Sequence, residues 1–289
     1  MTWFYLALVS MVFIVIRNIL EKKTLQTDNE IQFLTTFYIF NAILVLPLIN
    51  KVNFSLTTNE WLLIILIGLL AVVAIYYSVS SIKHFALSFS KPLGSISPIL
   101  ILLLSFFFLK ESITLLQLFG VIIIFAVSLL FIKDEAKITH RSIKQLFKSK
   151  YVIHLMIALV FGSLAAILDR ILLKTVDPTT FLFISRYILL ALFLIIVFTK
   201  FNGTKDIAKG FKLSAFPILI IALANIALVF FYNSALADPN AKTGLVAIIR
   251  SSSLVFTIAL SGIVFKEKNI IYKLILSIIL IVGLYIILI

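Results

Sequence analysis

Long apolar runs, separated by short polar breaks, follow one another along almost the entire chain. The pattern predicts ten membrane spans: 2–20, 31–50, 61–82, 88–109, 112–133, 151–173, 178–200, 213–236, 241–265 and 269–289. Most of these runs approach the roughly 20 apolar residues that one helix needs to cross a bilayer. Strands of an outer-membrane barrel alternate in polarity over about ten residues, and this pattern is absent from the sequence. We therefore predict an all-α integral membrane protein with ten transmembrane helices, located in the cell membrane.

The longest polar connection, residues 134–150, divides the chain into two halves of similar size. Residues 1–133 form the predicted first repeat and residues 151–289 the second. When residues 95–133 are placed on 251–289, polar positions coincide: Ser95 with Ser251, Ser97 with Ser253, Ser105 with Ser261, and Lys110-Glu111 with Lys266-Glu267. Five helices is an odd number, so the second half enters the membrane in the opposite orientation. Inverted repeats of this kind are common in secondary transporters, which bind substrate between the repeats.

The residues that match between the halves also resemble a known family. The first copy comprises Tyr77 to Pro98, then Leu109-Lys-Glu111, then Gln117 to Gly120; the second comprises Phe231 to Ala237, Arg250 to Ser253 and Phe265-Lys-Glu267. These segments resemble the EamA-type repeat of the drug/metabolite transporter superfamily. The second copy departs from the first where Leu254 replaces the proline and Leu276 the glycine. The resemblance implies ten helices, a central cavity and movement of small metabolites, often outward, but no particular substrate.

The composition excludes several other classes of protein. Of the 289 residues, 62% are hydrophobic and 13% are charged, and none is cysteine. No thiolate nucleophile, disulfide or zinc-thiolate site is therefore available, and we find no Ser–His–Asp, H-x-x-x-H or phosphate-loop motif. We expect no enzymatic activity, no cofactor and no metal site. The expected partners are a small-molecule substrate and the lipid bilayer, without nucleic acid. Gly120 and Gly283 form no G-x-x-x-G face, and we expect a monomer or a weak homodimer.

The net charge of +13 reflects basic connections between the spans. One side of the predicted bundle carries 18 of the 25 Lys and Arg residues, including those of 134–150, and the other side carries five. Basic residues favour the cytoplasmic side, so the count places 134–150 in the cytoplasm and both termini outside. The family resemblance instead implies termini inside. We favour the charge count.

Basic residues within apolar runs are the first candidates for a binding site, because an ionisable side chain inside a membrane is costly. Arg250 begins a stripe with Ser253 and Thr257 in span nine, and Lys91 begins a similar stripe with Ser95 in span four. An arginine can bind a carboxylate or phosphate through two hydrogen bonds. The alternative is that the hydroxyls bond their own helices and the cations extend to the headgroups. Polar residues on spans three and eight complete the candidate substrate-binding set: Tyr77, Asn225 and Tyr232. Their alternative role is to form hydrogen bonds between helices.

Other charged residues have structural interpretations. Glu111 and Glu267 lie at junctions where a carboxylate favours the start of the following helix. Arg186 is interpreted as structural and paired with Asp169. No carboxylate lies near the middle of any predicted span. Small multidrug relatives use a glutamate within their first helix, so its absence from Val9–Ile16 argues against proton-driven efflux of that kind and favours a facilitator or a solute exchanger.

The sequence thus predicts an alternating-access transporter, acting as exporter, exchanger or facilitator of a small polar metabolite. An anionic or zwitterionic solute such as an organic acid or an amino acid would suit the two cations. Spans one, three, four, six, eight and nine should surround the cavity, with spans five and ten outside. The alternatives are a lipid flippase or scramblase, which needs a slot open to lipid, and a receptor or scaffold, which needs no cavity.

Overall fold

A computed structural model describes residues 2–109, 113–140, 142–237, 249–250 and 252–288. Helices account for nearly all of these residues. Their bounds are α1 Thr2–Thr24, α2 Glu30–Val45, α3 Thr58–His84, α4 Leu87–Gly94, α5 Ser97–Leu109, α6 Leu115–Ile138, α7 Ile143–Phe147, α8 Lys150–Leu172, α9 Pro178–Lys200, α10 Thr204–Ala237, α11 Ser253–Phe265 and α12 Ile270–Leu288. A 3-10 helix, Leu46–Lys51, extends α2.

The predicted all-α membrane fold is confirmed. Within the described residues, nine helical segments are long and apolar enough to cross a membrane, and α4 together with α5 provides one of them. The tenth, α11, is a shorter apolar helix. Most of the residues that would precede it in predicted span nine, 241–248 and Ser251, lie outside the described part of the chain, as do Lys110 and Glu111.

Polar side chains mark the points where several helices begin. The hydroxyl of Thr57 accepts a hydrogen bond from the backbone N–H of Glu60 at the start of α3, and Thr114 does the same for Gln117 at the start of α6. Each provides an acceptor for a backbone N–H that has no partner within the helix. Asp177 accepts in the same way at the start of α9, just before Pro178. Short polar segments are therefore sufficient to stop one span and begin the next.

The contacts between helices occur in symmetry-related pairs. Helix α1 packs along α10, and its counterpart in the second half, α8, packs along α3. Likewise α5 packs on α8, and α11 packs on α1. Helix α2 meets its own counterpart α9, and α6 meets α12. This is the arrangement expected of two five-helix repeats related by a pseudo-twofold axis in the membrane plane.

Helices α6 and α12 cross at two glycines, Gly120 and Gly283, to which the sequence pattern assigns no contact. A Cβ atom added to Gly120 would lie 2.8 Å from the carbonyl oxygen of Gly283 on α12. The two helices can approach this closely because each places a glycine, which has no side chain, against the other, and isoleucines such as Ile287 and Ile123 surround the contact. Gly120 and Gly283 therefore form a contact within the chain, between spans five and ten.

Several predicted spans differ from the observed helices: α10 begins at Thr204 and not at 213, and α6 continues to Ile138 and not only to 133. Helix α1 continues beyond residue 20 to Thr24, which brings Glu21 inside the helix, one turn from Arg17. Span four was predicted as one helix over 88–109, but it breaks after Gly94 and restarts at Ser97. Pro92 lies within α4 and Pro98 in the first turn of α5, and proline cannot donate the backbone hydrogen bond that a continuous helix requires. The Lys91–Ser95 stripe consequently does not continue along one helix.

Candidate functional site

Two neighbouring cavities lie inside the helical bundle. The first, of about 340 Å3, lies between α1, α3, α4 and α8, and the second, of about 280 Å3, lies between α1, α2, α3, α9 and α10 beside Arg250. Four residues line both of them: Arg17, Glu21, Ile75 and Val79. We refer to them as the α4 cavity and the α9 cavity. The sequence does not predict that α2 and α9 line the site. Helices α6 and α12, which are spans five and ten, contribute no residue to either wall.

Arg17 and Glu21 form the shared wall. They are one helical turn apart on α1, and Arg17 Nε lies 3.8 Å from Glu21 Oε2. The Glu21 side chain is only 4% exposed. The 3.8 Å separation is longer than a hydrogen bond, and neither atom has a hydrogen-bond partner among the described residues. The shared wall therefore presents an acid and a base whose hydrogen-bonding capacity is not fully used.

The α9 cavity contains two further arginines. Arg186 comes from α9, and its Nε is buried without a hydrogen-bond partner among the described residues. Arg250 is exposed, and its guanidinium carbon lies 4.5 Å from the centre of the Tyr232 ring. Such stacking holds a guanidinium in place while leaving its N–H groups free to bind an anion. Asn225 lines the same cavity and donates a hydrogen bond of 3.1 Å to Oδ1 of Asn41.

Lys91 is the basic residue specific to the α4 cavity, and its helix is held in place by two charged residues distant in sequence. Lys22 on α1 donates to the carbonyl oxygens of Ile82, Lys83 and Phe85, at 2.6, 2.8 and 2.7 Å, at the end of α3. A cation favours this position because the last carbonyls of a helix have no partners within it. Lys22 thus fixes the corner that leads into α4.

Glu267 holds the other side of the same corner. Its carboxylate oxygens accept hydrogen bonds from the backbone N–H groups of Leu87 and Ser88, at 2.9 and 3.1 Å. Ser261 also donates to Glu267, at 3.2 Å. The carboxylate therefore caps a helix start, as the sequence suggests, but the helix is α4 of the first repeat and not the following α12. The contact ties the second repeat to the helix that carries Lys91.

The eight predicted binding residues fall into two groups. Arg250, Asn225 and Lys91 line the cavities, and Tyr232 contacts Arg250. The remaining four, Ser253, Thr257, Ser95 and Tyr77, are on neither wall. Thr257 is buried and accepts a hydrogen bond from the Asn18 side chain, and Tyr77 packs with its ring centre 4.7 Å from that of His154. Both residues therefore contact neighbouring helices. For Thr257 this differs from the alternative stated for the polar stripes, in which the hydroxyl bonds its own helix.

The sequence interpretation missed three of the charged residues on the walls. Arg17 was counted with the boundary charges and Glu21 was overlooked, because the predicted first span stops at residue 20. Their spacing of four residues was the available signal. Glu21 adds an acid to the cavity wall, but it lies near the end of α1 and not near the middle of a span. Arg186 belongs to the cavity wall, and within the described part of the chain no ion pair connects it to Asp169.

A bundle of apolar helices in two opposed halves, with charged cavities between them, defines a multi-pass membrane protein of the transporter type. Comparison with family profiles agrees with this class. The profile of the EamA-like transporter family matches residues 1–133 and 149–289, and the chain belongs to this family of membrane transporters within the drug/metabolite transporter superfamily. A search of curated proteins finds no match.

Proposed function

We propose that the protein is an alternating-access transporter in the cell membrane, and that it moves a small polar metabolite carrying negative charge. The observation that carries the proposal is the set of basic side chains on the cavity walls: Arg17, Lys91, Arg186 and Arg250. Charged groups are expensive inside a membrane protein unless something binds them. A negatively charged solute would supply the missing partners, and it would be released when the cavity becomes accessible from the other side.

The symmetry of the bundle supports alternating access. The α4 cavity lies against α8 of the second repeat, and the α9 cavity against α2 of the first. A rocking movement of one five-helix repeat, 1–133, against the other, 151–289, would change access at both cavities together. Neither the binding of the solute nor this movement requires a cofactor or a second protein. We expect a monomer or a weak homodimer to be sufficient for transport.

Arg250 provides the first test, because it is exposed and its removal leaves no cavity in the core. The purified protein is reconstituted in liposomes and uptake is measured for amino acids, organic acids and phosphorylated metabolites. We expect saturable uptake of at least one anion. Arg250→Ala should raise the half-saturation concentration for that anion about tenfold or more, as expected for the loss of a charge-assisted hydrogen bond.

Lys174→Ala is the matched control, since Lys174 is an exposed basic residue that lines neither cavity. It should leave the half-saturation concentration unchanged. An unchanged value in Arg250→Ala would remove Arg250 from the site. Flipping of fluorescent lipids by the same liposomes, without uptake of any solute, would replace the proposal with a lipid flippase.

A further inference from the structure

We propose that the transported solute is a dianion whose two negative groups stand apart, as in a short dicarboxylate. The inference rests on the proposed transport function and narrows its substrate class. It also assigns a role to three residues that the sequence interpretation did not place at the site: Arg17, Glu21 and Arg186.

The first argument is the charge of the walls. Among the described residues that line the two cavities, four side chains are basic and Glu21 alone is acidic. On the walls themselves, a solute with one negative charge would leave two of the four cations without a matching anion, and a zwitterion would bring a further cation close to Arg17 and Lys91. Coulomb interactions are stronger in such surroundings than in water, so both are disfavoured. A dianion compensates the walls more completely.

The second argument is the distribution of these charges. Lys91 faces only the α4 cavity, Arg186 and Arg250 face only the α9 cavity, and Arg17 stands where the two meet. A molecule with negative groups at both ends can place one group near Lys91 and the other near the two arginines. A phosphate monoester carries both charges on one group and leaves one cavity without an anion.

The third argument concerns Glu21. Its Oε2 atom, the Nε atom of Arg17 and the Nε atom of Arg186 are buried and have no hydrogen-bond partner among the described residues. Buried polar groups normally have partners, and a solute carboxylate offers acceptors to both arginines. Glu21 offers Arg17 a competing acceptor 3.8 Å away. Glu21 therefore sets the affinity for the anion. It is close enough to Arg17 to weaken the binding of the solute, and too far from Arg17 to take the place of the solute carboxylate.

The test compares solutes of different charge in liposomes that contain the intact protein. Uptake is measured for succinate and glutarate, for propionate with one charge, for alanine as a zwitterion, and for glycerol 3-phosphate. We expect succinate or glutarate to show the highest ratio of maximal uptake to half-saturation concentration. Equal or better uptake of propionate, alanine or glycerol 3-phosphate would overturn the inference and preserve the transporter. Uptake of none of the solutes in this or the wider panel, by a correctly folded protein, would instead overturn the proposed function.

Two variants make the charge argument specific. Glu21→Gln removes the competing acceptor, and we expect it to lower the half-saturation concentration for succinate about three- to tenfold, with a smaller change for propionate. Lys91→Gln should shift the preference between the two solutes towards propionate. A structural defect would affect both solutes equally, so the ratio between them is the readout. Lys23→Gln, at an exposed position of α1, should not change this ratio, and an unchanged ratio in both cavity variants would refute the assignment.

Discussion

Lys22 shows how one side chain can organise a corner of a membrane protein. It is 8% exposed, and its ammonium group binds three backbone carbonyls at the end of α3. These carbonyls have no hydrogen-bond partner within the helix, and in a bilayer no water replaces a lost donor. Sequence inspection treats Lys22 as one of several basic residues at a span end. Its role depends on contacts with residues about 60 positions away, which hydropathy cannot indicate.

Replacement of Lys22 by methionine keeps much of the side-chain volume and removes the donor. We expect Lys22→Met to lower the free energy of unfolding by about 2–4 kcal/mol, because buried carbonyls lose a charged partner. Thermal denaturation of the protein in detergent measures the change as a lower midpoint. Lys23→Met is the control, since Lys23 is exposed and makes no such contact. Equal midpoints in the two variants would show that the three hydrogen bonds do not stabilise the corner.

At the scale of helices, the sequence predicts the existence of spans better than their ends. Long apolar runs were sufficient to locate the spans, because a bilayer imposes a minimum length on any helix that crosses it. The continuation of α1 beyond residue 20, through Glu21 to Thr24, is not predicted, since hydropathy ends a span where several charges follow one another. The break between Gly94 and Ser97 was also missed, although Pro92 and Pro98 flank it. Lys91 and Arg250 were found because each is a charge within an apolar run, whereas Arg17 and Glu21 required the position of α1 against its neighbours.

The corner between α1 and α2 is fastened to α10 through Asp28. Its carboxylate is fully buried and accepts hydrogen bonds from Ser214, at 2.7 Å, and from Thr27, at 3.1 Å. Ser214 is the kinked residue of α10, with φ −143° and ψ 23°. Burial raises the pKa of the Asp28 carboxyl above its usual value, and the hydrogen bonds and Lys83 only partly oppose this shift.

The raised pKa of Asp28 predicts a pH dependence of stability. A carboxyl with a higher pKa in the folded state binds its proton more tightly there than in the unfolded chain. Its contribution to stability is therefore largest below about pH 4, the usual range of the group, and falls as pH rises through the folded pKa. Asp28→Asn should lack this fall. Thermal midpoints from pH 4 to pH 8 measure the difference, and parallel curves for the two proteins would contradict the assignment.

For the molecule as a whole, Lys and Arg remain unevenly distributed between the two sides of the bundle, although several of those counted from the sequence are buried or line cavities. Arg17 and Lys91 line cavities, while Lys22 and Lys273 are buried against polar partners. Exposed lysines still concentrate on the side that carries α7, at positions such as Lys137, Lys144, Lys148 and Lys205. Lys and Arg residues in the connections between spans favour the cytoplasmic side. We therefore retain the proposal that α7 lies in the cytoplasm and that both termini lie outside.

The absence of cysteine from the sequence allows a direct test of this orientation. Ser55→Cys places a thiol in the exposed segment between α2 and α3, and Lys148→Cys places one directly after α7. A membrane-impermeant maleimide added to intact cells should label Cys at position 55, whereas position 148 should react only after permeabilisation. The unmodified protein provides the background, because it contains no thiol. The opposite labelling pattern would place both termini inside, as the family resemblance implies. The distribution of Lys and Arg would then fail to indicate the orientation of this protein, even after the residues buried in the bundle are left out.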